Sequence, residues 1–492
     1  MFAIPRPAEV RPVFLSELAP QLSAVPSGPD VGVTGVSLAS GKVEPGDLYA
    51  ALPGARRHGA EFLTEAVERG AVAVLTDEAG AQTAHEYDLP TLRLDDPRAA
   101  VGPAAAHVYG DPTKHLRIIG ITGTNGKTST AYLVEAGLRA AGRRTGLIGT
   151  VEIRMGDDVL VSERTTPEAP ELQALFAHAL ESGVTDVVME VSSHALALHR
   201  AEGIHFAVGG FTMFGLDHLD FHHGVEDYFA SKAKLFDGRC AAEVINIDDA
   251  WASRLVTPKT VTYSLTGADA TWTARDIKGV GFDQSFDVVG PGIESRAFVR
   301  VPGAHNVANA LLAYACLTET GVPAQTAIDG VAECLGVPGR MELVSGDHPV
   351  RGVVDYAHKP EAVVAVLKAL RPITSGSIIA VIGAGGDRDP GKRKLMGEAA
   401  ANGADLVVVT DDNPRTEEPS EIRAEVLAGV GAHPHIEVPG RGEAVAEAVA
   451  RARPGDTIAL LGKGHEQGQE LATSTVSFDD RLVLAAALAN HL

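Results

Sequence analysis

The stretch Gly120–Thr128 most constrains the fold of this chain, because it joins an apolar run to a helical pattern through a glycine-rich turn. Leu116–Ile121 leads into it and Thr130–Ala141 follows, which predicts a strand, a turn and a helix N-terminus. Such a turn points backbone N–H groups at an anion, and the helix dipole favours negative charge there. Lys127 can reach outer phosphates, and the Thr128 hydroxyl can hold Mg²⁺. The sequence therefore predicts a site for a nucleoside triphosphate.

Composition favours a soluble enzyme over two classes of binding protein. The chain has 492 residues with 42 basic and 64 acidic side chains, which gives a formal net charge of −22. This excess of negative charge disfavours non-specific binding to nucleic acid or to an anionic membrane. No apolar run reaches the roughly 18 residues of a membrane-spanning helix, and the three cysteines lack metal-ligand spacing. We expect a cytoplasmic protein that acts on small molecules, with no nucleic-acid partner and no membrane span.

The order of apolar and helical segments predicts an α/β protein of three domains. Residues 1–112 form a smaller N-terminal α/β domain, and 113–340 alternate strand-like and helical segments, which predicts a doubly wound parallel sheet. Residues 341–492 contain a second α/β series. Functional loops should lie at the carboxyl ends of the strands. The main strands are predicted at Arg117–Thr122, Thr145–Gly149, Asp186–Val191, Ala207–Thr212, Glu243–Ile247, Gly352–Tyr356, Ile378–Ile382, Leu406–Thr410 and Thr457–Leu461.

A glutamate and a histidine-rich cluster follow two strands of the predicted central sheet. Glu190 ends the apolar run 186–189, and a carboxylate there, in the same sheet as a phosphate loop, can coordinate Mg²⁺. Residues 217–223 hold three His and two Asp. Zinc is disfavoured because no second ligand cluster has suitable spacing. A plain polar loop remains the alternative for this segment.

Three turns in the C-terminal region carry cationic side chains, and each directly follows an apolar strand-like run. Loops at one edge of one sheet would build one pocket. Arg388 and Arg415 can each hold a carboxylate with a bidentate fork, and Glu466 can pair with an ammonium. Such a pocket suits an amino acid with an additional carboxylate, although solvated turns remain the alternative. The turns span residues 383–393, 411–415 and 462–466.

Two further segments have simple structural interpretations. Thr165–Glu168 contains an N-cap signal for the helix that begins near Pro170. Lys232 and Lys234 lie in the helical segment Tyr228–Phe236, and physical chemistry alone predicts two solvated lysines there.

Together and in this order, these motifs resemble those of the Mur ligases of peptidoglycan synthesis, and most of all the branch that adds diaminopimelate. The resemblance runs from about Val33 to Asp480. One such motif would be weak, whereas the ordered set is specific. The motifs are GTNGKT (123–128), TTPEA (165–169), MEVSSH (189–194), DHLDFH (217–222), YFASKAKLF (228–236), GAHNVANA (303–310), GRME (339–342), VDYAHKPEA (354–362), GGDRDPGKR (385–393), DDNPR (411–415) and GKGHE (462–466).

The resemblance implies a specific division of labour and a specific reaction. The N-terminal domain would bind the UDP end of the acceptor, a central P-loop ATPase-like domain would bind Mg-ATP, and a Rossmann-like C-terminal domain would bind the amino acid. The implied enzyme is an ATP-dependent ligase that adds 2,6-diaminopimelate to UDP-MurNAc-L-Ala-D-Glu. ATP would phosphorylate the D-glutamyl carboxylate, and the amine would attack the acyl phosphate. Mg²⁺ is the implied cofactor, and we expect a monomer.

The same resemblance assigns roles to individual residues. Lys232 matches a carbamylated lysine (N6-carboxylysine), and the other implied catalytic residues are Lys127, Glu190 and His218. The implied metal ligands are Thr128, Glu190 and His218. The implied ATP-binding residues are Gly123, Thr124, Asn125, Gly126, Lys127, Thr128, Ser129, Asn306 and Arg340. The implied acceptor-binding residues are Ser40, Thr165, Thr166, Ser192 and Arg200. The implied amino-acid-binding residues are Arg388, Asp412, Asn413, Pro414, Arg415, Gly462 and Glu466.

Several positions depart from the family pattern and keep other functions open. Ala39-Ser40-Gly41 stands where Asp-Ser-Arg is usual, and Leu198, Met213 and Lys359 replace the residues expected at their positions. A diverged paralogue that joins a diaminopimelate-like amine to a different carboxylate is therefore one alternative. A nucleotide-binding protein without catalysis is another, although the retained catalytic set disfavours it. Folylpolyglutamate synthase shares the central chemistry but is disfavoured by the Asp-Asn-Pro-Arg loop.

Overall fold

A computed structural model of the chain describes residues 4–267 and 269–491. The chain divides into two compact units. The N-terminal unit runs to Arg275 and includes Val288–Ser295 and Ala308–Val331, and the C-terminal unit comprises Asp276–Asp287, Arg296–Val307 and the chain from Ala332 onward. Sheets of five, eleven and six strands carry the predicted three-domain α/β architecture. The predicted boundaries after residues 112 and 340 stay predictions.

A five-stranded sheet in the order β2-β7-β6-β5-β4 organises the first hundred residues. Its strands β4 to β7 pair in parallel, and β2 adds antiparallel at one edge. Apolar clusters cover both faces, one around Leu18 and Leu48 and the other around Tyr49 and Leu63. The elements are β1 (Val13–Phe14), α1 (Leu15–Leu22), β2 (Val25–Ser27), β3 (Gly32–Val33), β4 (Gly35–Ser37), β5 (Asp47–Ala51), α2 (Leu63–Glu68), β6 (Ala73–Thr76), α3 (Glu78–His85), β7 (Thr91–Arg93) and α4 (Pro97–Val108).

An eleven-stranded sheet follows, in the order β11-β10-β9-β12-β8-β13-β14-β15-β16-β17-β18. Parallel pairing runs from β9 to β16 and includes the five predicted strands β8, β9, β12, β13 and β14. Buried, mostly apolar runs such as those of β8 and β12 favour a parallel sheet covered by helices. The elements are β8 (Arg117–Thr122), α5 (Lys127–Ala140), β9 (Thr145–Ile148), β10 (Glu152–Met155), β11 (Asp158–Val161), α6 (Ala169–Glu181), β12 (Asp186–Glu190), α7 (Ser193–Ala197), β13 (Phe206–Phe211), α8 (Val225–Ala233), β14 (Cys240–Asn246), β15 (Val261–Ser264), β16 (Trp272–Val280), β17 (Asp283–Gly290), β18 (Ile293–Val299), α9 (Ala304–Glu319) and α10 (Ala324–Glu333).

The edges of this sheet add strands to the predicted doubly wound parallel sheet. Strands β10 and β11 form a hairpin that pairs antiparallel with β9, so the sheet is mixed. Strands β15 to β18 extend the opposite edge and were not predicted. Strands near both edges, such as β10 and β18, alternate between more buried and less buried positions and lack the continuous apolar runs of the central strands.

The C-terminal sheet has the order β19-β20-β24-β21-β22-β23, with all pairs parallel except β19. Its strands β21 and β24 are buried throughout, and apolar clusters cover both faces. The elements are β19 (Glu342–Leu343), β20 (Arg351–Asp355), α11 (Pro360–Leu370), β21 (Ile378–Ile382), α12 (Gly391–Gly403), β22 (Leu406–Val409), α13 (Pro419–Val430), β23 (His435–Glu437), α14 (Arg441–Arg451), β24 (Thr457–Leu461), β25 (Gly468–Glu470), β26 (Thr475–Ser477) and α15 (Asp480–Ala489).

Short 3₁₀ helices complete the secondary structure. They lie at Ser40–Lys42, Gly59–Phe62, Pro112–Lys114, Lys234–Phe236, Ala252–Leu255 and Arg371–Ile373. Within residues 4–267 and 269–491, every helix is too short or too polar to cross a membrane.

Candidate active site

The predicted phosphate loop connects β8 to α5, and its shape depends on glycine. Gly123 has a φ of 138° and Gly126 a φ of 87°, both in the region that side chains rarely adopt. A Cβ on Gly123 would lie 1.8 Å from the Thr212 hydroxyl oxygen, and one on Gly126 would lie 2.5 Å from Oδ1 of Asn309. Thr212 also donates to the carbonyl of Asn125 at 2.6 Å. Neighbouring side chains therefore hold the loop in one conformation.

Two lysines converge on one carbonyl oxygen of this loop. Lys127 Nζ donates to the Gly123 oxygen at 2.9 Å and to the Thr124 oxygen at 3.0 Å, and Lys232 Nζ donates to the same Gly123 oxygen at 2.8 Å. Lys232 is only 1% exposed, so the interpretation of it as a solvated lysine is wrong. Burial and the nearby charge of Lys127 lower the pKa of its amine well below the usual range. Its Nζ atom also lies 4.5 Å from the centre of the Tyr228 ring.

Glu190 lies beside the first turn of α5, as the sequence predicts. Strand β12 pairs with β8 so that Glu190 is opposite Ile121. One Glu190 carboxylate oxygen accepts from the Thr128 hydroxyl at 3.0 Å, and the other accepts from the backbone N–H of Thr150 at 2.8 Å. A hydroxyl and a carboxylate at this distance are hard oxygen donors that fit Mg²⁺.

His218 lies in a cluster of aromatic and imidazole rings in the same unit. It has a φ of 53°, and its ring centre is 4.6 Å from that of His194 and 6.1 Å from that of Tyr228. Within residues 4–267 and 269–491, no three His, Cys, Asp or Glu side chains form a group that could hold a metal ion by themselves. The predicted ligand set also includes the Thr128 hydroxyl and a modified lysine, which such a group of four residue types leaves out. The metal role of His218 stays a prediction.

The predicted acceptor residues of the central sheet are linked to Glu190. Thr165 and Thr150 share a hydroxyl contact of 3.0 Å, and the Thr166 hydroxyl donates to the Glu190 backbone oxygen at 2.9 Å. The backbone N–H of Ser192 donates to the Thr166 hydroxyl at 3.1 Å, and Arg200 donates to the Thr166 carbonyl at 3.2 Å.

Helix caps account for part of these positions. Ser192 caps α7, because its hydroxyl accepts from the N–H of Ala195 at 3.1 Å. The N-cap of α6 is Glu168, whose N–H donates to Glu171 at 3.0 Å, which confirms the N-cap predicted within Thr165–Glu168. Ser40 lies instead in the N-terminal sheet region, where its hydroxyl donates to Glu65 at 2.6 Å.

The three cation-bearing turns of the C-terminal sheet come together, as predicted. They follow β21, β22 and β24, which are neighbours in the sheet. The N–H of Gly386 donates to the Asn413 carbonyl at 2.9 Å, and the Asn413 amide donates to Glu466 at 2.9 Å. Lys463 Nζ donates to the Asn413 side-chain oxygen at 2.8 Å and to Glu466 at 3.0 Å.

Arg415 already has protein partners in this cluster. Its Nε donates to a Glu470 carboxylate oxygen at 2.5 Å, and Nη1 donates to the Gly386 carbonyl at 2.7 Å. The backbone N–H of Arg415 also donates to the Glu470 carbonyl at 3.1 Å. Strand β25 therefore holds the guanidinium in place. Arg388 is exposed in the loop after β21.

Close backbone packing shapes the remainder of the pocket. Gly462 has a φ of 116°, and a Cβ there would lie 2.7 Å from a carboxylate oxygen of Asp412. Asp412 accepts from the N–H of Asn413 at 2.7 Å. A Cβ on Gly386 would lie 1.9 Å from the Pro414 carbonyl oxygen. Glycine is therefore required at both positions.

Two predicted nucleotide-binding residues belong to the C-terminal unit. The Arg340 guanidinium lies 4.5 Å from the centre of the Tyr356 ring. The Asn306 side chain is buried and donates to the Pro302 carbonyl at 2.9 Å. Their contact with nucleotide stays a prediction.

Four residues that contact the predicted site residues were not predicted individually from the sequence. They are Thr150, Asn309, Lys463 and Glu470. Asn309 and Lys463 lie inside recognised motifs, which could have drawn attention to them. Thr150 and Glu470 have no sequence signal, because their partners Glu190 and Arg415 lie 40 and 55 positions away in the chain.

Comparisons with known proteins match this chain over most of its length. Three domain families match it: the Mur ligase family, catalytic domain, over 32–109; the Mur ligase middle domain over 121–317; and the Mur ligase, glutamate ligase domain, over 339–464.

Curated relatives and a solved structure agree with these matches. A UDP-N-acetylmuramoyl-L-alanyl-D-glutamate–2,6-diaminopimelate ligase of Streptomyces avermitilis is 52% identical and covers 98% of each chain. The ligase of the same name from Synechococcus elongatus is 42% identical and covers 96% of this chain and 97% of its own. A solved structure of a ligase with this name is 32% identical, has a TM-score of 0.72 and covers 97% of this chain and 99% of its own. The chain therefore belongs to the Mur ligases, a family of ATP-dependent enzymes that form amide bonds.

Proposed function

We propose that this chain joins 2,6-diaminopimelate to the D-glutamyl carboxylate of UDP-MurNAc-L-Ala-D-Glu, using ATP and an acyl-phosphate intermediate. The observation that carries the proposal is the cluster of Asn413, Arg415 and Glu466, formed by loops that follow neighbouring strands. The curated relatives at 42% to 52% identity support this acceptor rather than a different carboxylate.

The nucleotide side of the mechanism rests on the loop between β8 and α5. Backbone N–H groups at the start of α5 face the position of the phosphates and, with the Lys127 ammonium, neutralise their charge. Thr128 and Glu190 would hold Mg²⁺, which supplies charge neutralisation on the transferred phosphoryl group. Lys232, once carbamylated, would add a carboxylate to this set. Its lowered pKa favours that modification, because only the neutral amine reacts with CO₂.

The acceptor side rests on the hydroxyl groups after β12. Thr165, Thr166 and Ser192 present short polar side chains near Glu190, and Arg200 supplies a cation anchored on the Thr166 carbonyl. These groups would orient the D-glutamyl carboxylate for attack on the nucleotide. Orientation is the main contribution that a protein can make here, because the phosphoryl transfer itself needs little covalent help.

The amino-acid side rests on opposite charges held at fixed positions. Arg415 and Arg388 would receive carboxylates of the diaminopimelate, and Glu466 would receive an ammonium. Asp412, Pro414 and Gly462 would shape the pocket around it. Because its partners already hold Arg415, the guanidinium is oriented before the amino acid arrives, which lowers the entropic cost of binding.

We further propose three domains with bounds at 1–112, 113–340 and 341–492, and a monomeric enzyme acting in the cytoplasm. The three matched domain families, at 32–109, 121–317 and 339–464, support these bounds. The nucleotide-linked substrates favour the cytoplasm. Sedimentation of the purified protein would test the monomer, and an assembly larger than one chain would contradict it.

The proposed reaction is tested by phosphate release from Mg-ATP. Purified protein receives UDP-MurNAc-L-Ala-D-Glu with diaminopimelate, with lysine or with no amine. We expect release that requires both the acceptor and diaminopimelate. Intact ATP binding without release for this pair would contradict the proposed substrates.

A further inference from the structure

Lys463 belongs to the third cation-bearing turn of the C-terminal region, residues 462–466, yet its side chain does not face solvent. Its side chain is 0% exposed, whereas that of Glu466 is 32% exposed. Burying an ammonium is costly unless charged and polar partners surround it. Lys463 has both, because its ammonium donates to Glu466 at 3.0 Å and to Asn413 Oδ1 at 2.8 Å.

The chemistry of these donors determines how the Asn413 amide is oriented. An ammonium and a backbone N–H can only donate, so both must face the amide oxygen rather than the amide nitrogen. Lys463 Nζ and the N–H of Glu470, at 3.0 Å, therefore both require Oδ1 on their side. The amide nitrogen is then directed to Glu466, where it donates at 2.9 Å.

Both hydrogen bonds to Glu466 reach the same carboxylate oxygen. Asn413 Nδ2 and Lys463 Nζ each donate to Oε2. The second oxygen, Oε1, is then the one that can accept from a substrate ammonium. A carboxylate held in this way has a fixed direction, which a partly exposed Glu466 side chain alone would lack.

We propose that Lys463 is a positioning residue of the amino-acid pocket, which orients Asn413 and Glu466 so that Glu466 Oε1 receives the ammonium of the incoming amino acid. This inference rests on the proposed function of the pocket. Lys463 does not touch the substrate and acts through its two neighbours.

Lys463→Met tests the proposal, because methionine keeps an unbranched side chain and removes the ammonium. Without Lys463, Glu466 is no longer oriented toward the ammonium of the incoming amino acid. The KM for diaminopimelate should therefore rise about tenfold or more, with the KM for ATP within about twofold of wild type. Lys394→Met is the matched control, because Lys394 is 64% exposed and pairs with Glu398 at 3.8 Å on the surface. An unchanged diaminopimelate KM, or an equal rise in the ATP KM, would overturn the proposal.

A double-mutant cycle with Glu466→Gln separates positioning from general support of the fold. If Lys463 acts through Glu466, then Lys463→Met should change the amine KM much less in the Glu466→Gln background than in wild type. Equal effects in both backgrounds would overturn the proposal. Lys463→Gln, which keeps a donor at this position, serves if the methionine variant does not fold, and we expect a smaller rise in KM.

The wild-type assay distinguishes failure of this inference from failure of the proposed function. If wild type uses a different amine, the proposed substrate is wrong. The KM of Lys463→Met is then compared with that of wild type for the amine that wild type uses. A crystal structure of Lys463→Met provides a readout without substrate. We expect a changed Glu466 or Asn413 side chain, and unchanged positions of both would overturn the inference.

Discussion

The side-chain amine of Lys232 donates to the carbonyl oxygen of Gly123 at 2.8 Å, although the two residues are 109 positions apart in the chain. Lys127 donates to the same oxygen at 2.9 Å. The helix α8 thus delivers a nearly fully buried amine to the phosphate loop. Burial, and after it repulsion by the charge of Lys127, lowers the pKa of Lys232 and favours its neutral form.

Lys232→Ala should lower turnover by about a hundredfold, since one oriented group at a phosphoryl-transfer site is worth that much. Short carboxylates such as acetate should restore part of the activity, because they can occupy the space of the carbamate. Phosphate release with and without acetate measures both effects. Lys234→Ala, two residues further on, is the control and should stay close to wild type. Full activity of Lys232→Ala without additive would remove this residue from the mechanism.

Carbamylation of Lys232 should depend on pH in a direction set by its lowered pKa. The neutral amine that reacts with CO₂ persists to lower pH than in an ordinary lysine, and the modification is lost once the amine is protonated. We expect a carbamate signal by ¹³C NMR with labelled bicarbonate at neutral pH. The signal should be absent from Lys232→Ala, and its presence there would assign the modification to another residue.

Glu190→Gln should impair the metal-dependent step more than the fold. The amide can still accept from Thr128, but it lacks the charge that favours Mg²⁺, so we expect turnover to fall about a hundredfold and the Mg²⁺ requirement to rise. A magnesium titration of phosphate release measures both. Glu152→Gln is a control from the same sheet, since Glu152 contacts Tyr132 at 2.9 Å outside the predicted site. An unchanged Mg²⁺ dependence would contradict the role of Glu190.

Arg415→Lys should weaken binding of the amino acid without weakening binding of ATP. Arginine and lysine are equally strained at the φ of 53° found here, so the comparison isolates the contribution of the planar guanidinium group to binding. We expect the KM for diaminopimelate to rise about tenfold or more, with the KM for ATP nearly unchanged. Arg451→Lys, an exposed residue paired with Glu447, should have no effect. Equal diaminopimelate KM values for Arg415→Lys and wild type would refute the predicted role.

His465 should make the stability of the chain depend on pH below neutrality. Burial, aided by the charges of Arg340 and Arg481, lowers the pKa of His465 to about 4. The unfolded state therefore binds a proton first as pH falls from about 6.5, and stability is lost between about 6.5 and 4. His465→Gln should lose less stability than wild type from pH 7 to 5, as measured by the urea midpoint. Parallel curves for the two proteins would contradict this.

The ion pair between Arg441, at the start of α14, and Asp480, at the start of α15, should be costly to break. Both side chains are 0% exposed and form two contacts of 2.7 and 2.6 Å. Asp480→Asn removes the negative charge nearest to a buried cation, leaving Asp412 at 3.8 Å as its acidic neighbour, and should lower the free energy of unfolding by about 3 kcal/mol. Glu447→Gln, at the exposed pair with Arg451, should cost less than about 1 kcal/mol. Chemical denaturation compares the two variants, and similar costs would contradict the argument.

Local sequence patterns were enough to predict the phosphate loop and the three C-terminal turns. Each consists of an apolar run followed directly by turn and helix residues, so the information lies within about a dozen neighbouring positions. The contact of Glu190 with Thr128 was also predictable, because parallel strands bring their carboxyl ends to one edge. The antiparallel hairpin β10–β11 was not, because short strands with polar positions leave a weak signal.

By itself, then, the sequence determined which segments become strands, loops and helices around the site, and its motifs identified the family. Only the tertiary structure decided which charged side chains leave solvent. In the sequence, Lys232 and Lys463 look like any surface lysine, yet both are buried, and distant partners, the Gly123 carbonyl and the Asn413 amide, accept hydrogen bonds from their Nζ atoms. Burial of a strongly polar group depends on partners that lie far away along the chain, and no local pattern records them.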